Sequence, residues 1–426
     1  YYMIVRNNKQ YTSACKALIE HTTFIMPVPL TDSIHPKNSS ICVLYVHDLD
    51  NSISYIIPIN HPDVKLNFDL PSNISNAYTP SVKTAYSLGI NAEKLYDLEL
   101  LYYFNTGKKL TLEKTNSHNF IERKFWKYPK NSQLVPILKL LEYCKNNRKT
   151  YIETIGNIDS LSAQYIEYNR DITDVYSLLE SNGINTTSGI EYTHYNLFTS
   201  TGRPSNTNNG INYAALNKED GSRDRFVSRF ENGMLVEFDF DAYHLRLISK
   251  LIGYDLPDGS VHEYLGKYYF GKDTLTPEEY QEAKQINFKI LYGGIPKEFK
   301  NIEFFRLIGE FIGKLWHEWK SKSYITTYLY KRRMTKERLG EMNPQKLFNY
   351  YIQAYETEHN ITVVKRFKKV LDDKKTKVVL CTYDSFLFDF DISDGLETLQ
   401  QIKSAMDIPS KVSVGANYGT MVDKSL

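Results

Sequence analysis

Asp239 and Asp384 each close an apolar, strand-like run, and a helix-like segment between them carries Lys284, Phe288 and Tyr292 at four-residue spacing. Those residue types match the needs of nucleotidyl transfer. Two carboxylates can hold a pair of Mg²⁺ ions, a lysine can balance triphosphate charge, and aromatic rings offer a flat surface to a base.

Each acid depends on the element that delivers it. Met234 to Asp239 reads as an apolar strand ending in a carboxylate, on rigid scaffold yet open to solvent. Leu245 to Ile252 then reads as a helix closed by Gly253. Taken alone, Asp239 equally fits a helix cap. From Val378 to Phe388, two β-favouring runs flank Tyr383-Asp384-Ser385, the pattern of a hairpin with the acid at its bend. A turn aspartate is the plain alternative. The intervening helix has Thr276 as N-cap, Pro277 at the first position, Glu278 and Glu279 in the first turn, and Gly293-Gly294 as its stop. Tyr280, Lys284, Phe288 and Tyr292 fall along one face. Aromatic stripes usually belong to cores, but buried lysine is rare unless paired, so this face is expected to stack bases and grip phosphate.

The rest of the chain bounds the reading. Its 426 residues suffice for two or three domains, and 42% hydrophobic with 24% charged residues is an ordinary globular balance. A net charge of only +2 means that any nucleic-acid surface must come from local runs. Candidates are Arg123 to Lys130, Lys331 to Arg333 and Lys365 to Lys377, although such runs are usually solvated faces. Cys15, Cys42, Cys144 and Cys381 lack metal-site spacing, which fits a reducing cytoplasm. No apolar run approaches the ~20 residues of a membrane span, and no signal-peptide pattern opens the chain. The first residue is Tyr1, so a processed or incompletely represented N-terminus is expected.

Residues 1–130 alternate β-rich runs (Ile41 to Tyr45, Ser54 to Ile59) with helical stretches (Pro80 to Leu88, Lys94 to Phe104), as in a small α/β domain. Residues 131–190 are expected to be mainly helical, with apolar spacing in Leu134 to Leu141 and Val175 to Leu179 and a stop at Asn182-Gly183. Thr199 to Asn209 reads as a polar loop.

Motif by motif, the second half resembles a family A DNA polymerase (the DNA polymerase I family) of a divergent phage or viral branch. Thr201-Gly202-Arg203 with Ser205 to Asn208 is similar to the TGR-x-S-S-x-x-P-N loop that touches primer–template, with Asn212 further along. Asp239 to Arg246 (DFDAYHLR) resembles motif A, D-Y-S-x-I-E-L-R. Val261-His262 resembles D-I-H, whose His contacts the triphosphate. Lys284 to Gly293 (KQINFKILYG) is similar to motif B, K-x-x-x-F-x-x-x-Y-G. Asn349-x-x-x-Gln353 resembles the N-x-x-x-Q pair facing the duplex, and Tyr383-Asp384-Ser385 occupies motif C, usually H-D-E. The departures are His244 for the motif A Glu, Tyr383 and Ser385 for the motif C His and Glu, and Tyr280 for an Arg.

The resemblance implies an α+β fold: a right-hand polymerase with palm, fingers and a reduced thumb, preceded by an α/β ribonuclease H-like exonuclease-type domain. The implied boundaries are 1–130 for the exonuclease-like domain, 131–195 for the thumb and 196–426 for palm and fingers, with fingers at about 259–329. It implies a DNA polymerase using two Mg²⁺ ions at Asp239 and Asp384. His244, His262, Lys284, Phe288 and Tyr292 would bind the nucleotide; Arg203, Asn206, Asn212, Asn349 and Gln353 would bind DNA. The partners implied are primed DNA template, dNTPs and a processivity factor or replisome proteins, with no membrane, in the (host) cytoplasm. A single-subunit RNA polymerase and a degenerate fold kept as a DNA-binding replication factor are the rivals.

Proofreading is expected to be absent. Aligning Thr31-Asp32-Ser33 with the family's exonuclease strand puts Val28 and Leu30 where its Asp and Glu belong, and Ser81 near its second Asp. Upstream, the Asp-x-Glu pattern survives at Asp97-Leu98-Glu99, in a stretch expected to be helical. His244 is expected to lie beside Phe288 under the incoming sugar, as bulky as the carboxylate it replaces. An imidazole is neutral or cationic near pH 7 and has a ring nitrogen able to donate to a hydroxyl, so looser, pH-dependent sugar discrimination is expected.

Overall fold

The structure is a computed structural model that describes residues 1–31, 34–128, 134–158, 163–208 and 211–426. Asp32 and Ser33, the last two positions of the Arg123 to Lys130 run, parts of the expected thumb at 131–133 and 159–162, and Asn209 lie outside the described residues. The chain divides into two compact units, Tyr1–Ser181 and Asn182–Leu426.

The first unit is built on a six-stranded sheet ordered β1-β4-β3-β2-β5-β6. Its strands are β1 (Tyr2–Ile4), β2 (Thr23–Pro29), β3 (Ile41–Asp48), β4 (Ile53–Pro58), β5 (Ile74–Thr79) and β6 (Ala92–Asp97). β2, β3 and β4 run antiparallel, β5 and β6 continue parallel to β2, and β1 is parallel to β4. Alternate residues point to opposite faces, so two cores form. Ile25, Leu44 and Val46 meet Tyr11, Ala14 and Leu18 of α1 (Asn8–Glu20). Phe24, Met26 and Tyr45 meet α3 (Leu98–Thr106) and α5 (Ile137–Ile158). With both faces covered, β3 is buried along its whole length. The short α2 (Val82–Ser87), α4 (Asn116–Ile121) and the long α6 (Ala163–Asn182) complete the helices.

Two expectations shift here. Lys94 to Asp97 is strand, not helix: it pairs in parallel with Asn76–Thr79, and the helix starts at Leu98 because the Asp97 side chain caps it. The helices expected as a thumb fall mostly in the first unit, where Leu140, Cys144 and Tyr151 of α5 form part of the sheet's second core. The two compact units meet at 181/182. Asn182-Gly183 does end α6, with Gly183 in the left-handed region at φ +60°.

The second unit opens with two small sheets, β7 (Ile184–Thr186) with β8 (Gly189–Glu191), and β9 (His194–Asn196), β10 (Ser205–Asn208) and β11 (Ile211–Asn212). Ser205–Asn208 pairs with both neighbours, so part of the expected polar loop is strand. The main sheet is antiparallel, ordered β15-β16-β12-β17-β18: β12 is Gly233–Phe240, β15 Lys377–Cys381, β16 Ser385–Asp391, β17 Ser410–Gly415 and β18 Val422–Lys424. The helices are α7 (Tyr243–Ile252), α8 (Val261–Phe270), α9 (Pro277–Gly293), α10 (Glu303–Lys322), α11 (Lys336–Leu339), α12 (Pro344–Val370) and α13 (Gly395–Ala405), with a ribbon β13 (Tyr324–Thr326)–β14 (Arg333–Thr335). Among the described residues, the region expected as fingers shares its core with the palm-side helices. Leu265, Ile290 and Phe305 share one core with Leu245 and Ile248 of α7 and Phe348 and Tyr351 of α12. Among the described residues no helix is long and apolar enough to cross a membrane.

Candidate active site

β12 sends Phe238 and Phe240 to one face, where Phe386 and Phe388 of β16 pack edge-on against them. The same alternation puts Glu237 and Asp239 on the opposite face. Asp239 pairs in register with Ser385, and the Phe240 N–H donates to the Asp384 carbonyl at 2.9 Å, so the two aspartates lie side by side where the strands end. The bend holding Asp384 is unusual. Tyr383 has φ +68°, a conformation that costs a side-chain-bearing residue about 1–2 kcal/mol. The bend is held by Asn360 Nδ2, donating to the Tyr383 carbonyl at 2.7 Å, and by the Arg203 guanidinium, 3.8 Å above the tyrosine ring.

Burial pushes the Asp239 carboxyl up to about 7, and the neighbouring Asp384 and Glu237 add to the shift. Asp384 is likewise raised, by burial and by Glu356, although solvent reaches it at the bend. Two carboxylates that repel each other and resist ionising are a donor set suited to divalent cations. Between pH ~4 and ~7 the folded chain keeps a proton on Asp239 that the unfolded chain has released, so stability falls as pH rises through that window. Asp239→Asn removes this penalty. In EDTA it should be more stable than wild type by about 1–2 kcal/mol at pH 8, with the difference vanishing near pH 4. A metal ion held there would have to displace the proton, so Mn²⁺ is expected to raise the wild-type Tm more at pH 8 than at pH 6. Thermal unfolding with and without metal measures both; a pH-independent difference would overturn the assignment.

Across the cleft stands α9. Its capping box is complete: Thr276 Oγ1 accepts from the Glu279 N–H at 3.2 Å, and Glu279 accepts from the Thr276 N–H at 2.9 Å. Ala283, Ile290 and Leu291 face inward, leaving Lys284 exposed and Phe288 and Tyr292 about half exposed, their rings nearly parallel at 6.5 Å. All three line a cleft of about 430 Å³ with Asp239 and Asp384.

His262, at the start of α8, is 8% exposed. Burial, and Lys284 secondarily, lower its pKa to about 4. It is therefore neutral at pH 7. The Tyr269 hydroxyl donates to Asn287 Oδ1, and Asn287 Nδ2 donates to His262 Nδ1 at 2.9 Å. That chain leaves the ring proton on Nε2, a neutral donor in the cleft wall. Asn287 was not singled out by sequence, although its place three residues after Lys284 marks the adjoining inner face.

His244 corrects another expectation. Its Nδ1 lies 2.9 Å from the Tyr292 hydroxyl and its Nε2 contacts a Glu356 oxygen, so its partners are Tyr292 and Glu356, not Phe288. With both ring nitrogens engaged, neither is left to donate to a sugar hydroxyl. Glu356, on α12, is 1% exposed and also ion-pairs with Arg203 Nε at 2.9 Å. Sequence reasoning missed it, although it lies one helical turn beyond Gln353.

Arg203 is turned into the cleft toward Glu356 and Tyr383, not outward. Asn206 is 3% exposed, and among the described residues neither of its amide atoms has a hydrogen-bond partner, so burial removes it as a surface contact. Asn212 is exposed and caps the turn at Ala214, whose N–H donates to it at 3.2 Å. Asn349 and Gln353 line a small groove with His244 and Tyr292. On the far wall, Lys411 of β17 stands opposite Asp239 in register, and Lys218 lines the same cleft. Neither sits in a pattern the sequence marked.

Neither the family models nor the curated proteins give a match to this sequence. Among solved structures, the POL domain of Pol1 from M. smegmatis, in a complex with DNA primer-template and dNTP, matches with a TM-score of 0.67 and 12% identity. The match covers 98% of this chain and 99% of that one. At that identity the likeness is one of fold: over almost its whole length, this chain is built like a polymerase POL domain.

Proposed function

We propose that the chain is a template-directed DNA polymerase that adds dNTPs to a primer 3′-hydroxyl. One observation carries the reading: Asp239 and Asp384, side by side at the strand ends, line one cleft with the Lys284–Phe288–Tyr292 face of α9. Asp239 and Asp384 would hold the two Mg²⁺ ions. Bound there, the ions supply a lowered pKa at the primer hydroxyl and charge balance for the triphosphate. Lys284 pairs with triphosphate oxygens, and the neutral His262 donates from Nε2. Phe288 stacks on the incoming base and Tyr292 sits at the template side, where stacking is worth ~1–3 kcal/mol per base. The neighbouring fold, seen with primer-template and dNTP, supports the same substrates here.

The first unit supports the ribonuclease H-like reading through its strand order β4-β3-β2-β5-β6. It also supports the absence of proofreading. Asp97, of the Asp-x-Glu pattern, is buried and accepts from the Val82 and Leu100 N–H groups at 2.9 Å each, while Glu99 accepts from the Tyr151 hydroxyl at 2.7 Å. These carboxylates are committed to holding α2, α3 and α5. The test is a labelled primer–template with Mg²⁺ and either dNTPs or NTPs. Template-dependent extension with dNTPs, and no shortening of a labelled single strand, are expected. Extension by NTPs at equal kcat/KM, or Mg²⁺-dependent 3′ degradation, would overturn the respective parts.

A further inference from the structure

We propose that Glu356 sets the sugar selectivity of this cleft by fixing the His244 ring in place, an assignment that rests on the polymerase reading above. His244 is the second residue of α7, which starts from Ala242 in the left-handed region at φ +50°. Its side chain is 15% exposed, it lines the cleft with Asp239 and Phe288, and it holds the sequence position whose motif A counterpart the resemblance puts beneath the ribose. An imidazole there has no fixed pose of its own. Contacts at both nitrogens provide one.

Glu356 is a carboxylate in the middle of a buried helix, and such a charge persists only when paired. Its two partners, His244 and Arg203, both come from the cleft side. A carboxylate oxygen accepts, so His244 Nε2 carries a ring proton and donates it. In the neutral ring Nδ1 is then an acceptor for the Tyr292 hydroxyl, at 2.9 Å. The result is a directed chain: Tyr292 hydroxyl to His244, His244 to Glu356, with Arg203 balancing the remaining charge. It joins the last turn of α9, the first turn of α7 and the loop before β10 through one acid on α12. His244 can then exclude a 2′-hydroxyl by shape alone, because it cannot swing aside. The carboxylate missing from α7 has in effect been supplied from α12, one turn beyond Gln353.

The test is the ratio of kcat/KM for dNTP over NTP, measured on a primed template at saturating Mg²⁺. Saturation matters because Glu356 also bears on Asp384. Glu356→Gln keeps the volume but removes the charge that pairs with Arg203 and can present an amide nitrogen to His244 Nε2, and the ratio should fall roughly ten-fold. His244→Ala should lower it at least as far. In the His244→Ala background, Glu356→Gln should change nothing more, because the acid acts through the ring. Histidine ¹⁵N shifts give a readout without turnover: His244 in the Nε2–H form in wild type, that preference lost in Glu356→Gln. If Glu356→Gln does not fold, Glu356→Asp, shorter by one methylene, takes its place. An acid that merely stabilises the fold would slow dNTP and NTP use equally and leave the ratio unmoved, overturning the proposal. So would an equal effect of Glu356→Gln with and without His244. Absence of extension by the wild-type chain would overturn the polymerase reading, and this assignment with it; an active wild type with an insensitive ratio overturns this assignment alone.

Discussion

Asp239→Ala and Asp384→Ala are each expected to reduce primer extension by on the order of 10³-fold or more, because each removes several kcal/mol of charge stabilisation at the reacting phosphate. The expectation follows from where the two side chains sit. They lie next to each other at the ends of paired strands, and Asp384 is part of what raises the Asp239 carboxyl to about 7. Groups arranged in this way act as a unit, so the double variant should be little worse than either single one. Primer–template binding should survive, since the surfaces that would contact it are other residues, and removing an anion from the cleft does not weaken its hold on phosphate. Single-turnover extension together with fluorescence anisotropy on labelled duplex separates the two effects. Extension within ten-fold of wild type by either variant would sink the metal assignment. Loss of duplex binding in parallel with extension would point to misfolding, which the higher stability expected for Asp239→Asn at pH 8 argues against.

Glu358→Ala should unfold the second unit far more readily, at a cost of about 3–5 kcal/mol. Arg332 and Glu358 are both 0% exposed, with Nε and Oε1 2.8 Å apart. The second carboxylate oxygen accepts from the Leu329 and Tyr330 N–H groups at 2.9 and 3.2 Å, and Arg332 Nη2 reaches the Thr201 carbonyl at 3.4 Å. Removing the acid takes the carboxylate away from a fully buried guanidinium and from two backbone donors. Glu358→Gln retains acceptors for the backbone and should cost less. Replacing both partners with leucine should cost less than Glu358→Ala, because no charge is left uncompensated. Urea unfolding measures all three, and a cost below about 1 kcal/mol for Glu358→Ala would show the pair to be dispensable. The same variant should loosen the Thr199 to Arg203 loop. That loop is held at Thr201 by Arg332 and at Thr199 by Arg338, whose Nη2 donates to the Thr199 carbonyl at 2.9 Å.

Legibility in the sequence tracked the range of the forces involved. α9 was readable because its cap, its first-turn acids and its glycine stop all lie within the helix or next to it. The strand ending at Asp239 and the hairpin around Asp384 were readable for the same reason, as short apolar runs broken by polar residues. Lys94 to Asp97 was not. Its local propensity is helical, and pairing with β5 overrides it. Arg203 sits in a polar stretch that looks like surface, and only the fold brings a buried acid from 153 positions later, Glu356, to its guanidinium. Asn206 looked like a contact residue until its strand was tucked between β9 and β11. The division at 181/182 was equally hidden, since nothing in the α5 sequence says that its apolar stripe will meet Phe24 and Tyr45.

α12 is a single helix of 27 residues, about 40 Å long. Near its start, Gln345 and Asn349 donate to the carbonyls of Leu291 and Tyr292 in the last turn of α9, at 2.6 and 3.4 Å. About 16 Å beyond Asn349 along its axis, Asn360 holds the carbonyl of Tyr383 beside Asp384. A helix buried on nearly all sides has little freedom to bend between those points. Any displacement of the end of α9 that keeps these bonds must drag the rod with it, and the rod hauls on the turn beside Asp384. Were a base to stack against α9 as proposed, a shift of that helix end would reach the turn beside Asp384 along α12 as well as through His244, Glu356 and Arg203.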